Sequence, residues 1–215
     1  MSGSVCSTRR LAGTERRKEI LIAATRVFAR AGFHGATTRQ IAQEAGVAEA
    51  LLYRHFDSKQ ALFVEAVRTT SGRLIAGLRE VFDPAGVTPI QALDGLIRFY
   101  RRMLSRNRDM ARMVFLVSAE LDDPAVRSVY LPFQDEAVGI LDEKIAAWQR
   151  EGVVSSAVPS RALAWLLLGA FQTVTLMKQT DRLGEVPPSA ALALAAAYLS
   201  PATGPSSSVT SSDTV

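Results

Sequence analysis

Five side chains face outward from one short stretch of this sequence: Ala48, Glu49, Ala50, Tyr53 and Arg54. None of these types suits bond-making, and only Glu49, Tyr53 and Arg54 can hydrogen-bond, so base readout is thin in hydrogen bonds; Glu49 is able to accept from a cytosine amino group. Holding them in place takes two helices and a tight turn, and residues 37–56 carry the signals for both. Thr37 and Gln40 have the spacing of a capping box at the start of a first helix. Ile41, Ala42 and Ala45 then face inward. Gly46 ends the helix where a left-handed residue costs little, and only Val47 separates it from the second. The small Ala42 side chain lets the two helices cross closely. Leu52 and Phe56, one turn apart, anchor the second helix to a core. The pattern is that of a helix-turn-helix whose second helix enters the major groove of DNA and touches base edges with its N-terminal residues. An ordinary αα-hairpin uses the same packing residues.

Nothing else in the chain is arranged for catalysis. The two histidines, His34 and His55, fall in the N-terminal part, and His34 reads as a turn residue. No Cys/His cluster has metal-ligand spacing, and no glycine-rich phosphate loop is present. Glu120, Asp122 and Asp123 read as a solvated helix junction with caps rather than a cation site. No enzyme activity, metal or cofactor is expected.

The charge is lopsided. The 215 residues carry a formal net charge of +4. Residues 1–60 hold ten Lys/Arg against five Asp/Glu, whereas residues 61–215 hold fifteen against sixteen. The basic excess therefore sits beside the helix-turn-helix, as for a polyanion-binding head on a near-neutral body. A hydrophobic content of 48% is enough to bury a real core. The single cysteine, Cys6, cannot form an intrachain disulfide, and residues 1–13 are too polar for a signal peptide. The longest uninterrupted apolar stretches, 162–171 and 190–199, are too short to span a bilayer. These features point to a soluble cytoplasmic protein.

Tyr53-Arg54-His55-Phe56-Asp57-Ser58-Lys59-Gln60-Ala61-Leu62-Phe63, with Thr37-Thr38, Ile41-Ala42 and Ala45-Gly46-Val47 before it, resembles the TetR family of transcriptional regulators. The close resemblance covers roughly residues 15–65, with about a dozen positions in register. It implies phosphate contacts at Thr38, Tyr53, His55 and Lys59. It also implies that Arg39 reaches a base, with Ala48, Glu49 and Ala50 at the start of the recognition helix. Thr37 and Arg54 complete the expected DNA-facing set. There are departures. Ala48 stands where the family usually has Ser or Thr, and loss of such a cap costs about 0.5–2 kcal/mol. Glu49 offsets part of that through the helix dipole, by about 0.3–1 kcal/mol. Leu51 replaces a small or hydroxylated residue.

The apolar spacing elsewhere is helical throughout, so the expected fold is all-α with about nine helices. Residues 14–60 form the head and 61–200 a helical body, with tails 1–13 and 201–215 disordered. Helix 1 starts near Thr14, with Arg16, Arg17 and Lys18 in its first turns, and stops at Gly32. Asp57 and Ser58 start helix 4, with Asp57 and Gln60 spaced as a cap pair, and it runs to Phe82. Thr88-Pro89-Ile90-Gln91 caps helix 5. Asp109 opens helix 6, and Asp123-Pro124 opens helix 7, which Pro132 should kink. Helix 8 begins near Ser160 and is apolar on nearly every side, so it should be buried all round. Helix 9 follows Pro187-Pro188-Ser189. Hiding helices 8 and 9 in a chain this small implies a homodimer through that pair.

The body exceeds what DNA binding needs. The family resemblance implies a pocket for a small apolar effector among helices 4 to 8, with Tyr100, Met103, Met113, Phe115, Trp148 and Phe171 as candidate lining. The functional expectation is a repressor released from a palindromic operator by that effector. The alternative is a ligand-independent architectural or corepressor-type DNA-binding protein, whose body serves dimerisation or a protein partner.

Overall fold

The chain was analysed as a computed structural model, which describes residues 4–106 and 108–185. Among the described residues every regular element is helical. They are α1 Ser4–Gly35, α2 Thr38–Glu44, α3 Glu49–Tyr53, α4 Lys59–Phe82, α5 Pro89–Arg106, α6 Arg108–Ala119, α7 Pro124–Arg150 and α8 Ser160–Gln179, with a final 3-10 turn at Leu183–Glu185. The expected helix 9 and the C-terminal tail lie outside the described residues.

Local chemistry accounts for most boundaries. α1 starts at Ser4, earlier than the capping signal at Thr14 suggested. Its helical backbone breaks at Gly32, where φ is +72°, a value that carries no steric cost without a Cβ. α4 is capped by Ser58, whose hydroxyl accepts from Ala61 N at 3.0 Å, so Asp57 is not the cap. Gln60 instead donates to Asp123 at 2.7 Å. Thr88 and Gln91 form their reciprocal pair, at 3.0 and 3.3 Å. Asp123 caps α7 by accepting from Ala125 N at 2.8 Å. α7 runs unbroken through Pro132.

Two large cores follow from these faces. The first joins Ile20, Phe28, Ile41 and Leu52 of the head to Phe63 and Val67 of α4, Met113 and Val117 of α6, and Val126 of α7. Phe28 and Phe63 meet edge to face, with centroids 5.0 Å apart at 79°, a geometry worth about 0.5–1.5 kcal/mol beyond area burial. The first half of α4 is therefore core to both head and body. The second core lies between the far half of α4, α5, α7 and α8, and contains Leu78, Phe82, Leu141 and Trp148. A smaller cluster of Met103, Met110, Val114 and Phe171 bridges α5, α6 and α8. α4 spans about 35 Å at 1.5 Å per residue and reaches from one large core to the other.

α8 departs from expectation. Its buried residues are Leu163, Ala164, Phe171 and Thr175, whereas Trp165, Leu166 and Leu176 are exposed, Leu166 by 64%. Within one chain α8 covers its neighbours with one face and leaves the other open, so it is not buried all round. Taken whole, α8 is long and apolar enough to cross a membrane by length and composition alone, a property its uninterrupted apolar run lacked. It packs extensively against α7.

Candidate nucleic-acid interface and cavity

The reading surface is built by α2, the turn and α3. Thr37 N donates to Gln40 Oε1 at 2.9 Å, and Gln40 N donates to Thr37 Oγ1 at 3.2 Å, which closes the capping box. Gly46 has φ +65°, and Val47 N donates to Ala42 O at 2.9 Å across the turn. Ile41, Ala42, Leu52 and Phe56 are buried beneath. Ala48 holds the N-cap position of α3 without a side-chain bond, and Glu49 occupies the first turn.

Thr37, Arg39, Ala48, Ala50, Tyr53 and Arg54 are exposed, while Thr38, Glu49, His55 and Lys59 are half-buried. Three of these side chains are linked. Tyr53 Oη donates to Thr38 Oγ1 at 3.3 Å, and Thr38 Oγ1 donates to Glu49 Oε1 at 2.5 Å. Among the described residues no ion pair uses Arg39 or Arg54, which leaves both guanidinium groups available on this surface.

Other cations are committed to the fold. Lys59 Nζ donates to Phe33 O at 2.9 Å and Ala36 O at 3.0 Å, and lies 4.6 Å above the Phe33 ring. It collects the carbonyls at the end of α1 and ties them to the start of α4. The basic cluster in α1 is paired as well. Arg16 meets Glu19 and Lys18 meets Glu15, while Arg17 reaches Glu65 and covers the Phe56 ring at 4.7 Å. Glu44 of α2 takes Arg30 at 2.5 Å and Arg26 at 3.7 Å. The hydrogen bond from Arg30 holds its carboxyl below the usual carboxylate range.

A cavity of about 230 Å³ opens in the body. Its walls come from α4, α5, α7 and α8, with Val114 from α6. Tyr100 and Phe171 both line it, with rings stacked 4.4 Å apart at 30°. The other expected residues lie elsewhere. Met103 packs behind Phe171 in the small bridging cluster. Met113 is fully buried in the core shared with the head. Trp148 is in the second core, where its indole donates to Val87 O at 3.1 Å. Phe115 borders a shallow depression beside Gly32. Spacing marked these side chains as inward but could not say toward which interior.

Ser71, Phe99, Tyr130, Gln134, Trp165 and Gln172 line the cavity without having been anticipated. One sequence signal was available for Ser71. The inward stripe of α4 runs 63, 66, 67, 70, 71, 74, 78, and Thr70 and Ser71 interrupt it with hydroxyls at buried positions. The acidic junction acts through its caps and contacts: Asp123 serves α7 and Gln60, and Glu120 lies 3.4 Å from the exposed His34.

Residues 20–66 match the profile of bacterial regulatory proteins of the tetR family. The transcriptional activator FasR of Mycolicibacterium smegmatis is 41% identical over 71 residues, 33% of this chain and 32% of that protein. In this comparison the chain spans about a third of its relative. The transcriptional repressor AcnR of Corynebacterium glutamicum is 28% identical over 180 residues, 80% of this chain and 89% of that protein. In fold, the chain resembles the transcriptional regulator FadR of Bacillus subtilis, solved in complex with stearoyl-CoA. The TM-score is 0.64 at 22% identity, over 85% of this chain and 95% of that one.

Proposed function

We propose that the chain is a DNA-binding regulator of transcription of the tetR type, a repressor that leaves a palindromic operator when a small effector enters its body cavity. Arg39, Arg54 and the linked Thr38, Glu49 and Tyr53 carry DNA contact, with Thr37, Ala48, Ala50, His55 and Lys59 around them. Exposed Tyr53, Arg39 and Arg54 support this assignment.

One observation carries the control mechanism. Met113 is fully buried in the core shared with the head, and the next residue, Val114, lines the cavity. α4 has the same double membership through Val67 and Ser71. An occupant that moves α6 or α4 at the cavity moves the packing beneath α2 and α3. A ligand that binds better to the displaced form then lowers DNA affinity, and DNA lowers ligand affinity by the same factor. The B. subtilis relative in complex with stearoyl-CoA supports an effector-binding body. The cavity favours this reading over a ligand-independent architectural protein.

The open face of α8, with Trp165, Leu166 and Leu176, supports the α8 side of the expected homodimer through helices 8 and 9. Such a dimer places two recognition helices about one helical turn of DNA apart. The test is to sequence genomic fragments retained by the purified protein and to measure its mass in solution. Fragments sharing an inverted repeat, bound by a dimer that Leu166→Glu dissociates, support the reading. Fragments with no common sequence, or a monomer at micromolar concentration, overturn it.

A further inference from the structure

The cavity's lining identifies the chemistry of its occupant, an inference that rests on the effector reading above. Among the described residues no Asp, Glu, Lys, Arg or His lines it. An ion entering would lose its hydration with no opposite charge to replace it, a heavy cost in an apolar site. Aromatic rings make up much of the wall, including the stacked pair Tyr100 and Phe171.

The polar groups on that wall are unused. Ser71 is only 6% exposed, yet among the described residues no hydrogen bond uses its hydroxyl. Several helical hydroxyls in this chain bond back one turn, Thr25 to Leu21 O, Ser118 to Val114 O and Thr175 to Phe171 O, although Thr70, equally buried, does not. Ser71 has no such bond to Val67. No fully enclosed side-chain polar atom among the described residues lacks a partner, so the Ser71 hydroxyl must meet the cavity. The half-buried Tyr100 and Tyr130 hydroxyls and Gln134 carboxamide, and the exposed Gln172 carboxamide, share the wall and likewise have no protein partner among the described residues. Burial raises both phenols above their ordinary range, so they stay neutral donors. Buried polar groups are normally satisfied. The buried, unbonded Ser71 hydroxyl on this apolar wall marks where a ligand supplies an acceptor, and the half-buried Tyr100, Tyr130 and Gln134 groups offer further donors beside it.

We propose that the cavity binds an uncharged, ring-based small molecule bearing a hydroxyl or carbonyl oxygen, stacked against the aromatic wall and hydrogen-bonded by Ser71, Tyr100 and the two glutamines. At about 230 Å³ the space lies below the about 300–1,000 Å³ of drug-sized pockets, so one or two fused rings fill it. A quaternary ammonium, which aromatic faces also attract, finds no carboxylate among the described lining residues.

Three probes on one skeleton test this by calorimetry with the full-length protein: 2-naphthol, 2-naphthoate and trimethyl(2-naphthyl)ammonium. We expect 2-naphthol to bind at least about tenfold more tightly than either ion. Ser71→Ala should weaken 2-naphthol about three- to tenfold without lowering Tm, because the hydroxyl serves no protein partner. Equal or tighter binding of either ion overturns the inference. So does a failure of 2-naphthol to bind, or binding that Ser71→Ala and Gln172→Ala both leave unchanged. Operator affinity measured in parallel separates the two readings. If 2-naphthol binds as expected and DNA affinity does not move, the ligand class stands and the control mechanism fails.

Discussion

Thr38 Oγ1 donates a 2.5 Å hydrogen bond to Glu49 Oε1, across the turn that joins α2 to α3. The carboxylate occupies the hydroxyl that the family resemblance assigns to a DNA phosphate, and Tyr53 donates to the same oxygen from its other side at 3.3 Å. A phosphate that takes this hydroxyl, as proposed, must displace Glu49 from it. Glu49→Gln keeps an acceptor for Thr38 but removes a negative charge beside the duplex. Affinity for unrelated DNA should rise about three- to tenfold at low salt, and discrimination for the operator should shrink. Fluorescence anisotropy across a salt series checks both. Unchanged affinity for unrelated DNA would show that Glu49 does not compete with phosphate.

Lys59 has a structural duty besides any contact with DNA. Its ammonium satisfies the Phe33 and Ala36 carbonyls. Lys59→Met leaves both acceptors without it, at about 1–3 kcal/mol of stability, and should weaken DNA binding to every sequence. Tyr53→Ala, at a half-exposed ring, should weaken binding while leaving the melting temperature within a degree or two. Denaturant melts beside binding curves separate the two. A Lys59→Met protein as stable as the parent would remove the tether from this account.

Gly77 makes room for a cavity wall. A Cβ at this position on α4 would lie 1.9 Å from the Phe99 ring. Gly77→Ala must displace that ring, an overpacking that costs about 1–3 kcal/mol. Calorimetric melting should show the loss, and Phe99→Leu in the same background should recover part of it. No recovery would mean that the ring is not the obstacle.

Glu44 sets an acid limit on the head. Its folded carboxyl titrates below the unfolded value of 4.5, chiefly through the Arg30 hydrogen bond. A depressed acid contributes stability that is present above the unfolded value and lost as pH falls through the folded one. Tm should therefore drop more steeply below pH 4.5 in the parent than in Glu44→Gln. Parallel profiles of Tm against pH would rule out this pair as a source of the acid sensitivity.

Signals that act within a few residues were legible from the chain alone. The Thr37/Gln40 box, the positive φ of Gly46, the Thr88/Gln91 pair and the Asp123 cap all appear where spacing placed them, because each is a bond or a dihedral between near neighbours. The polyanion-binding character of the head was also legible, in the skew of charge toward residues 1–60. Asp57 and Ser58 could not be told apart, since both are good caps and only the packing of the following helix chooses between them.

What the fold decided is which interior each inward side chain joins. Periodicity says that Met113, Trp148 and Tyr100 turn away from water, but burial is non-directional and does not name a neighbour. Helix crossings send Met113 under the head, Trp148 against Phe82 and Tyr100 to the cavity wall. They also turn Lys59 onto carbonyls more than twenty residues away. They leave the Ser71 hydroxyl facing an open space. Contacts between distant residues arise only once the helices have docked.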